Sequence, residues 1–273
     1  MRLSLSTACL YHLPLSCAFR LAADAGFDGI ELVVGAEVHL RGVRRVARLA
    51  RAYGLEIFSL HQSLMDTMPF QRRERPMEEA TRMALELDCP RVVIHGPYAR
   101  SWDTPHARRW LQSLDACRRA IEGSSVRLAL ENPGLYSARD RDNVFAAPDD
   151  FARFCRDRDL SVTLDTCHAG TAGIDLMVAC ETLDGLLANV HLSDLATPHL
   201  LWDHHITRTL FAHHQMPGEG ILPLAQMMGR LNLAGYQGPI TMEISPFALR
   251  AWWGPLLRRR LGRLVAFYRD SLA

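Results

Sequence analysis

Six short apolar runs in this chain stop abruptly on a histidine or an acid. IFSLH ends at His61, RVVIH at His95, RLALE at Glu131, SVTLD at Asp165 and ITME at Glu243, and NVHL carries His191 just inside its end. Their valine, isoleucine and leucine content is that of strands buried on both faces. Polar groups at the carboxyl ends of successive parallel strands converge on one point only when the strands close on themselves. Such closure is a (β/α)8 barrel, and those strand ends are where a barrel of this kind keeps its chemistry.

The remaining sequence keeps the same alternation. Strands are expected at 3–7, 29–34, 56–60, 91–94, 126–130, 161–164, 187–192 and 239–243. Helical patterns fall between them, including 38–53 closed by Gly54, 77–87, one opened by Pro148 with Asp149 and Asp150, and a last one over 251–272. Eight strand–helix units without a linker predict one α/β domain over 1–273, a single (β/α)8 TIM barrel, and 273 residues suit the roughly 250 that this architecture takes. Segments after strands are long, notably 62–76 and 193–223, whereas those before strands are short. That imbalance places the site on the carboxyl-end face.

Charge and composition narrow the partners. The net charge is +1, which gives no bulk attraction to nucleic acid or an anionic membrane. No apolar run approaches the roughly 20 residues of a membrane span. The N-terminal apolar stretch is interrupted by Ser, Thr, His and Pro and reads as strand 1 rather than a signal peptide. Seven cysteines without paired spacing predict free thiols and a cytoplasmic location. All 31 basic residues are arginine, so lysine Schiff-base and lysine general-base chemistry is excluded.

Taken in order, GFDGIEL, LENPG, LDTCHAG, VHLSD, PGEG and MEISP resemble the xylose isomerase-like barrel superfamily, over essentially the whole chain. That group includes sugar isomerases and epimerases, inosose dehydratases and isomerases, and endonuclease IV. The resemblance to its epimerases implies a divalent ion held by Glu131, Asp165, His191 and Glu243. Mn2+ or Zn2+ suits that set, with Mg2+ and Co2+ as alternatives. It also implies proton transfer α to a carbonyl, with Glu131 and Glu243 as acid and base and His168 assisting. The substrate would be a small sugar, sugar phosphate or inosose, and a homo-oligomer is compatible with the sequence.

The resemblance to endonuclease IV gives His61, His95, His168 and His214 a second role, as ligands of further ions; otherwise they contact substrate. The chain departs from the endonuclease pattern at Ala212, where an acid is expected, and Asp203, His204 and His205 in the same loop are substitutes to consider. A phosphodiesterase acting on abasic DNA is therefore the alternative function, and a barrel that only binds a ligand is the third. Glu219 of PGEG is read either as a site acid or as part of a turn capping the next helix. Tyr98, Trp102, Tyr136, Trp202, Phe211, Phe247 and Trp252 are expected to close over the substrate, and Arg100, Arg139 and Arg208 to meet an anionic group. His12, His39, His106 and His199 read as surface or loop residues, and the arginines of 41–51 and 258–263 as solvated helix faces.

Overall fold

Strands β1 (Arg2–Ser6), β2 (Gly29–Val33), β3 (Glu56–His61), β4 (Arg91–His95), β5 (Arg127–Glu131), β6 (Ser161–Asp165), β7 (Leu187–Leu192) and β8 (Pro239–Met242) pair in parallel, each with the next, and β8 closes on β1. The computed structural model describes residues 1–63, 76–136, 138–197, 207–208 and 211–272, with backbone alone at 138 and 139. Seven of the eight expected strands are displaced by a single residue at one or both ends, and the seventh agrees throughout. In β3 to β6 the strand extends far enough to include the terminal histidine or acid itself.

The strand interiors alternate in a sense that hydropathy alone leaves open. Val162 and Leu164 of β6 belong to the apolar layer beneath the helices, whereas Thr163 and Asp165 are equally buried on the other face. Ser4, Ser6, Glu31, Ser59, Asn189 and Thr241 are likewise buried polar residues on the strands. Both faces are out of water, but the barrel interior near its mouth is polar. The strand register stacks these residues in levels, with Glu31 beside Ser59, His95 beside Glu131, and Asp165 beside His191.

The helices form because their apolar residues recur every three or four positions. In the helix Leu15–Ala25, Ala18, Phe19, Leu21 and Ala22 face the barrel. Burying a leucine or phenylalanine there contributes roughly 1.5–3 kcal/mol. The single helix expected over 38–53 is two, Ala36–Arg41 and Val43–Ala52. Gly42 separates them with φ 78° and ψ 139°, a conformation outside the helical region that glycine adopts without steric cost. Helices Pro105–Ala120, Thr166–Thr171 and Leu176–Thr182 add to those read from sequence. No helix among the described residues is long and apolar enough to cross a membrane, and all seven cysteines are free thiols.

Candidate active site

The four expected ligands meet at the barrel mouth. One donor atom from each of Glu131, Asp165, His191 and Glu243 lies within 4.8 Å of every other. His191 is at their centre, its Nδ1 2.9 Å from Glu243 Oε2, 3.7 Å from Glu131 Oε1 and 3.8 Å from Asp165 Oδ2. On its far side Nε2 lies 3.0 Å from Glu31 Oε2.

Glu31 is the residue that sequence reasoning missed. Its Oε2 also accepts from Ser59 Oγ at 2.8 Å and Asn189 Nδ2 at 3.1 Å, so the carboxylate is completely buried yet held by three donors. A carboxylate behind a histidine fixes the imidazole with Nε2–H toward the acid and its other nitrogen free to ligate. The signal was an acid in the middle of the apolar run GFDGIEL, with no local feature to say what it faced.

Asp165 divides its two oxygens between separate tasks. Oδ1 accepts from the backbone N–H of His168 at 2.7 Å and caps the helix Thr166–Thr171. Oδ2 is buried with no hydrogen-bond partner among the described residues, and so is His191 Nδ1. An orphaned buried carboxylate oxygen costs several kcal/mol unless positive charge satisfies it, and His191 Nδ1, 2.9 Å from Glu243 Oε2, is answered there only when it carries hydrogen. The donor set, three carboxylates and one imidazole, fits a divalent cation.

The titration behaviour points the same way. Burial would depress the His191 imidazole, but Glu31, Glu243 and Glu131 outweigh it and hold it well above its ordinary value. Burial would raise Glu131 and Glu243, but the surrounding imidazoles, with His95 the largest influence on Glu131 and His191 on Glu243, hold both below the usual carboxylate range. Asp165 is raised, by burial first and then by the Glu131 and Glu243 charges. A cluster this rich in carboxylate demands positive charge at its centre, which either imidazolium protons or a metal ion can supply.

Around this set lie the other expected histidines. His61 Nε2, His95 Nε2 and Glu131 Oε2 form a triangle with sides of 3.2, 3.4 and 3.1 Å. Donors of a tetrahedral site with bonds of about 2.0 Å are separated by about 3.3 Å, so the triangle has the size of one face of such a site. The His61 Nδ1 lies 2.6 Å from the Gln62 carbonyl, which can only accept, so Nδ1 carries hydrogen and in the neutral ring Nε2 turns its lone pair to the triangle. His168 and His214 lie near Asp165, each with Nδ1 4.0 Å from Asp165 Oδ2. His214 adopts the left-handed conformation with φ 49° and is fixed from three strand ends. Its N–H donates to Cys167 Sγ at 3.2 Å, its carbonyl accepts from Ser245 N–H at 2.8 Å, and its Nδ1 is 3.1 Å from Ser193 Oγ.

PGEG is a structural turn. Asp194 accepts from the backbone N–H groups of Gly218, Gly220 and Leu222 at 2.9, 3.0 and 3.0 Å. A Cβ on Gly220 would stand 2.4 Å from Asp194 Oδ1 and from the Leu195 carbonyl, so the carboxylate can nest only against glycine. The Glu219 side chain leads away to Arg260 and Arg263, at 3.1 and 2.7 Å. Its reading as a site acid is therefore corrected, and so is that of Arg260 as fully solvated.

The loop residues divide. Trp102 stacks on Phe154 at 5.1 Å, beside Trp110 and Phe145, and packs with the outer core instead of covering the mouth. Phe211, Phe247 and Trp252 form a chain of ring contacts at 5.9 and 4.8 Å. Tyr98 is half exposed, and Arg100 lies 3.6 Å from Asp142. Arg208 is near enough to His213 to help burial, His214 and His168 lower that imidazole to about 4. His12 is more than a surface residue, for its ring stacks on Trp252 at 5.2 Å and both ring nitrogens are buried without a partner among the described residues. His39 pairs with Glu79 at 3.2 Å, and His106 is exposed. Ala212 is buried. His199, Trp202, Asp203, His204, His205 and the Arg139 side chain lie outside the described residues.

A family model described as Xylose isomerase-like TIM barrel matches residues 19–258. The chain is 27% identical to an uncharacterized protein of Mycobacterium tuberculosis, over 92% of this chain and 91% of that protein. It is 23% identical to fructoselysine 3-epimerase of Escherichia coli O157:H7, over 89% of this chain and 90% of that enzyme. Among solved structures it superposes on a D-tagatose 3-epimerase-like protein with a TM-score of 0.71, 21% identity and full coverage of both chains. With D-psicose 3-epimerase of Clostridium cellulolyticum H10, solved with D-tagatose, the TM-score is 0.69 at 16% identity, over 100% of this chain and 99% of that one.

Proposed function

The chain belongs to the xylose isomerase-like TIM-barrel family, and from that premise we propose that it is a divalent-metal-dependent isomerase or epimerase of a small sugar, sugar phosphate or inosose, working by proton transfer α to a carbonyl. The observation that carries this reading is the convergence of Asp165 Oδ2, buried without a hydrogen-bond partner among the described residues, with donor atoms of His191, Glu131 and Glu243, all within 4.8 Å of one another. Glu131, Asp165, His191 and Glu243 would hold the ion. When bound it would polarise a substrate carbonyl and stabilise negative charge on the enediolate oxygen.

The proton chemistry falls to side chains of the chain itself. Glu131 arrives from β5 and Glu243 from just past β8, on opposite arcs of the closed barrel. Held below the usual carboxylate range, both are ionised and able to accept a proton. One would take the proton from the carbon α to the carbonyl, and the other, after taking up a proton from solvent, would deliver it from the opposite face, which inverts that carbon; the first then returns its proton to solvent. His168, with Nδ1 3.1 Å from Glu131 Oε1, would steady the carboxylate as its charge changes. A chain without lysine has no lysine ammonium to assist a hydride shift, which favours proton transfer.

In D2O, with a panel of ketoses, ketose phosphates and inososes, the enzyme should place deuterium on carbon in substrate or product. Glu131→Gln and Glu243→Gln should each abolish that incorporation while some metal remains bound. Incorporation that persists in both variants would refute the assignment of acid and base.

The His61–His95–Glu131 triangle favours one second reading, a metal-dependent phosphodiesterase with more than one ion. Two or more bound equivalents, metal-dependent nicking of abasic-site DNA and no carbon-bound exchange on the panel would select it.

A further inference from the structure

One histidine at the mouth has neighbours unlike those of the others. We propose that the Asn132 carbonyl and Tyr136 together occupy both nitrogens of His168, so that Nδ1 keeps its hydrogen facing Glu131 and neither nitrogen ligates a cation bound there, with Tyr136 the positioning residue that holds Nε2. The proposal rests on the reading of the mouth as a cation site, but not on which reaction the site carries out.

The hydrogen-bond inventory requires this arrangement. His168 Nδ1 lies 3.0 Å from the Asn132 carbonyl oxygen and 3.1 Å from Glu131 Oε1. A carbonyl oxygen only accepts, so Nδ1 must carry hydrogen. The one remaining nitrogen, Nε2, lies 2.6 Å from Tyr136 Oη. In a neutral ring the phenol donates into the Nε2 lone pair, and in a doubly protonated ring Nε2–H donates to the phenol. Neither nitrogen then presents a lone pair to an ion. At His61 the same carbonyl tether at Nδ1 leaves Nε2 directed at His95 and Glu131.

Tyr136 is built into its place. Its backbone N–H donates to Asp140 Oδ2 at 2.9 Å, and the preceding Leu135 N–H donates to Thr171 Oγ1 at 2.9 Å. Its ring packs on His213 with centroids 5.1 Å apart. Beneath it, a Cβ on Gly134 would lie 2.6 Å from Tyr136 Cζ and 2.9 Å from His168 Cδ2, so only glycine lets phenol and imidazole approach this closely. Ala212, buried in the nearby loop, supplies no replacement ligand. Asp165, His168 and His214 are thus neighbours without being a ligand set.

The test uses the full chain loaded with Zn2+, with bound ions counted by elemental analysis and imidazole nitrogens followed by 15N NMR. His168→Ala should keep every tightly bound ion, with affinity weakened by about 10–100-fold, as for a residue that orients a ligand. In the unmodified chain His168 should show protonated Nδ1 and hydrogen-bonded Nε2, and Nδ1 should keep its proton, with neither nitrogen taking the shift of a zinc-bound imidazole, when Zn2+ is added. Tyr136→Phe should move the Nε2 resonance and leave Nδ1 protonated. Loss of one ion equivalent in His168→Ala, a zinc-bound nitrogen at His168 in the unmodified chain, or an unmoved Nε2 in Tyr136→Phe would each overturn the proposal. The unmodified chain alone carries the NMR result should a variant fail to fold. Failure of every substrate to exchange hydrogen would sink the proposed reaction and leave these readouts untouched.

Discussion

Two corners of the barrel mouth hold histidines of similar local standing and differ in what surrounds them. At the β3–β4 corner, His61 and His95 direct Nε2 at each other and at Glu131, and no other described group occupies those nitrogens. At the β6 corner, His168 spends one nitrogen on the Asn132 carbonyl and the other on Tyr136. Both corners serve Glu131, the first through Oε2 and the second through Oε1. Residue type and position at a strand end are alike at the two corners. What differs is the second nitrogen's neighbour, and on the proposal above that neighbour decides whether the histidine is free to ligate.

The largest effect should come from the centre between the two corners. Asp165→Ala removes a proposed ligand and a helix cap at once, and bound metal should fall to background by elemental analysis. Unchanged metal content would show that the ion, if present, uses the corners instead of the centre. Next is Glu31→Gln, which keeps the shape of the side chain but removes the charge behind His191. Metal affinity should drop by about 10–100-fold with stoichiometry intact, measured by competition with a chelator. An unchanged affinity would mean that Glu31 is only a buried structural acid.

His61→Ala sharpens the comparison further. Among the four central ligand residues it contacts only Glu131 by hydrogen bonding, so the first equivalent of metal should bind with no more than about a tenfold loss. Any second equivalent should disappear, and loss of the first would move the principal site to the β3–β4 corner.

The smallest effect should lie away from both corners, at Glu219→Gln. Burial would raise this carboxyl, but Arg260 and Arg263 outweigh it and lower it from its ordinary 4.5. A depressed folded-state value gives stability that is present above the unfolded pKa and is lost as pH falls through the folded one. The unmodified chain should therefore be more stable than the variant near neutrality, by about 0.2–1 kcal/mol for a pair this exposed, and the two melting curves should converge in acid below the ordinary carboxylate value. A difference in melting temperature that persists undiminished into acid would contradict this, and a change in bound metal would return Glu219 to the site.

Much of the architecture was legible in the sequence because its signals are local. A strand stops where its apolar run stops, so all eight strands were placed to within a residue or two, and the histidines and acids at their ends fell at the mouth. Local signals mislead where one residue overrides a period, as Gly42 does in dividing the helix expected over 38–53.

What the sequence by itself determined is the closed barrel and the group of residues that converge in it. Each follows from a periodicity or a strand terminus readable within a few positions. Only the tertiary structure decided what stands behind and beside those residues. Glu31 lies 160 positions from the His191 it orients, Tyr136 lies 32 from His168, and Glu219 lies 44 from Arg263. A hydrogen bond forms according to distance and direction in space, and closing the barrel brings such pairs together with no trace in the spacing between them.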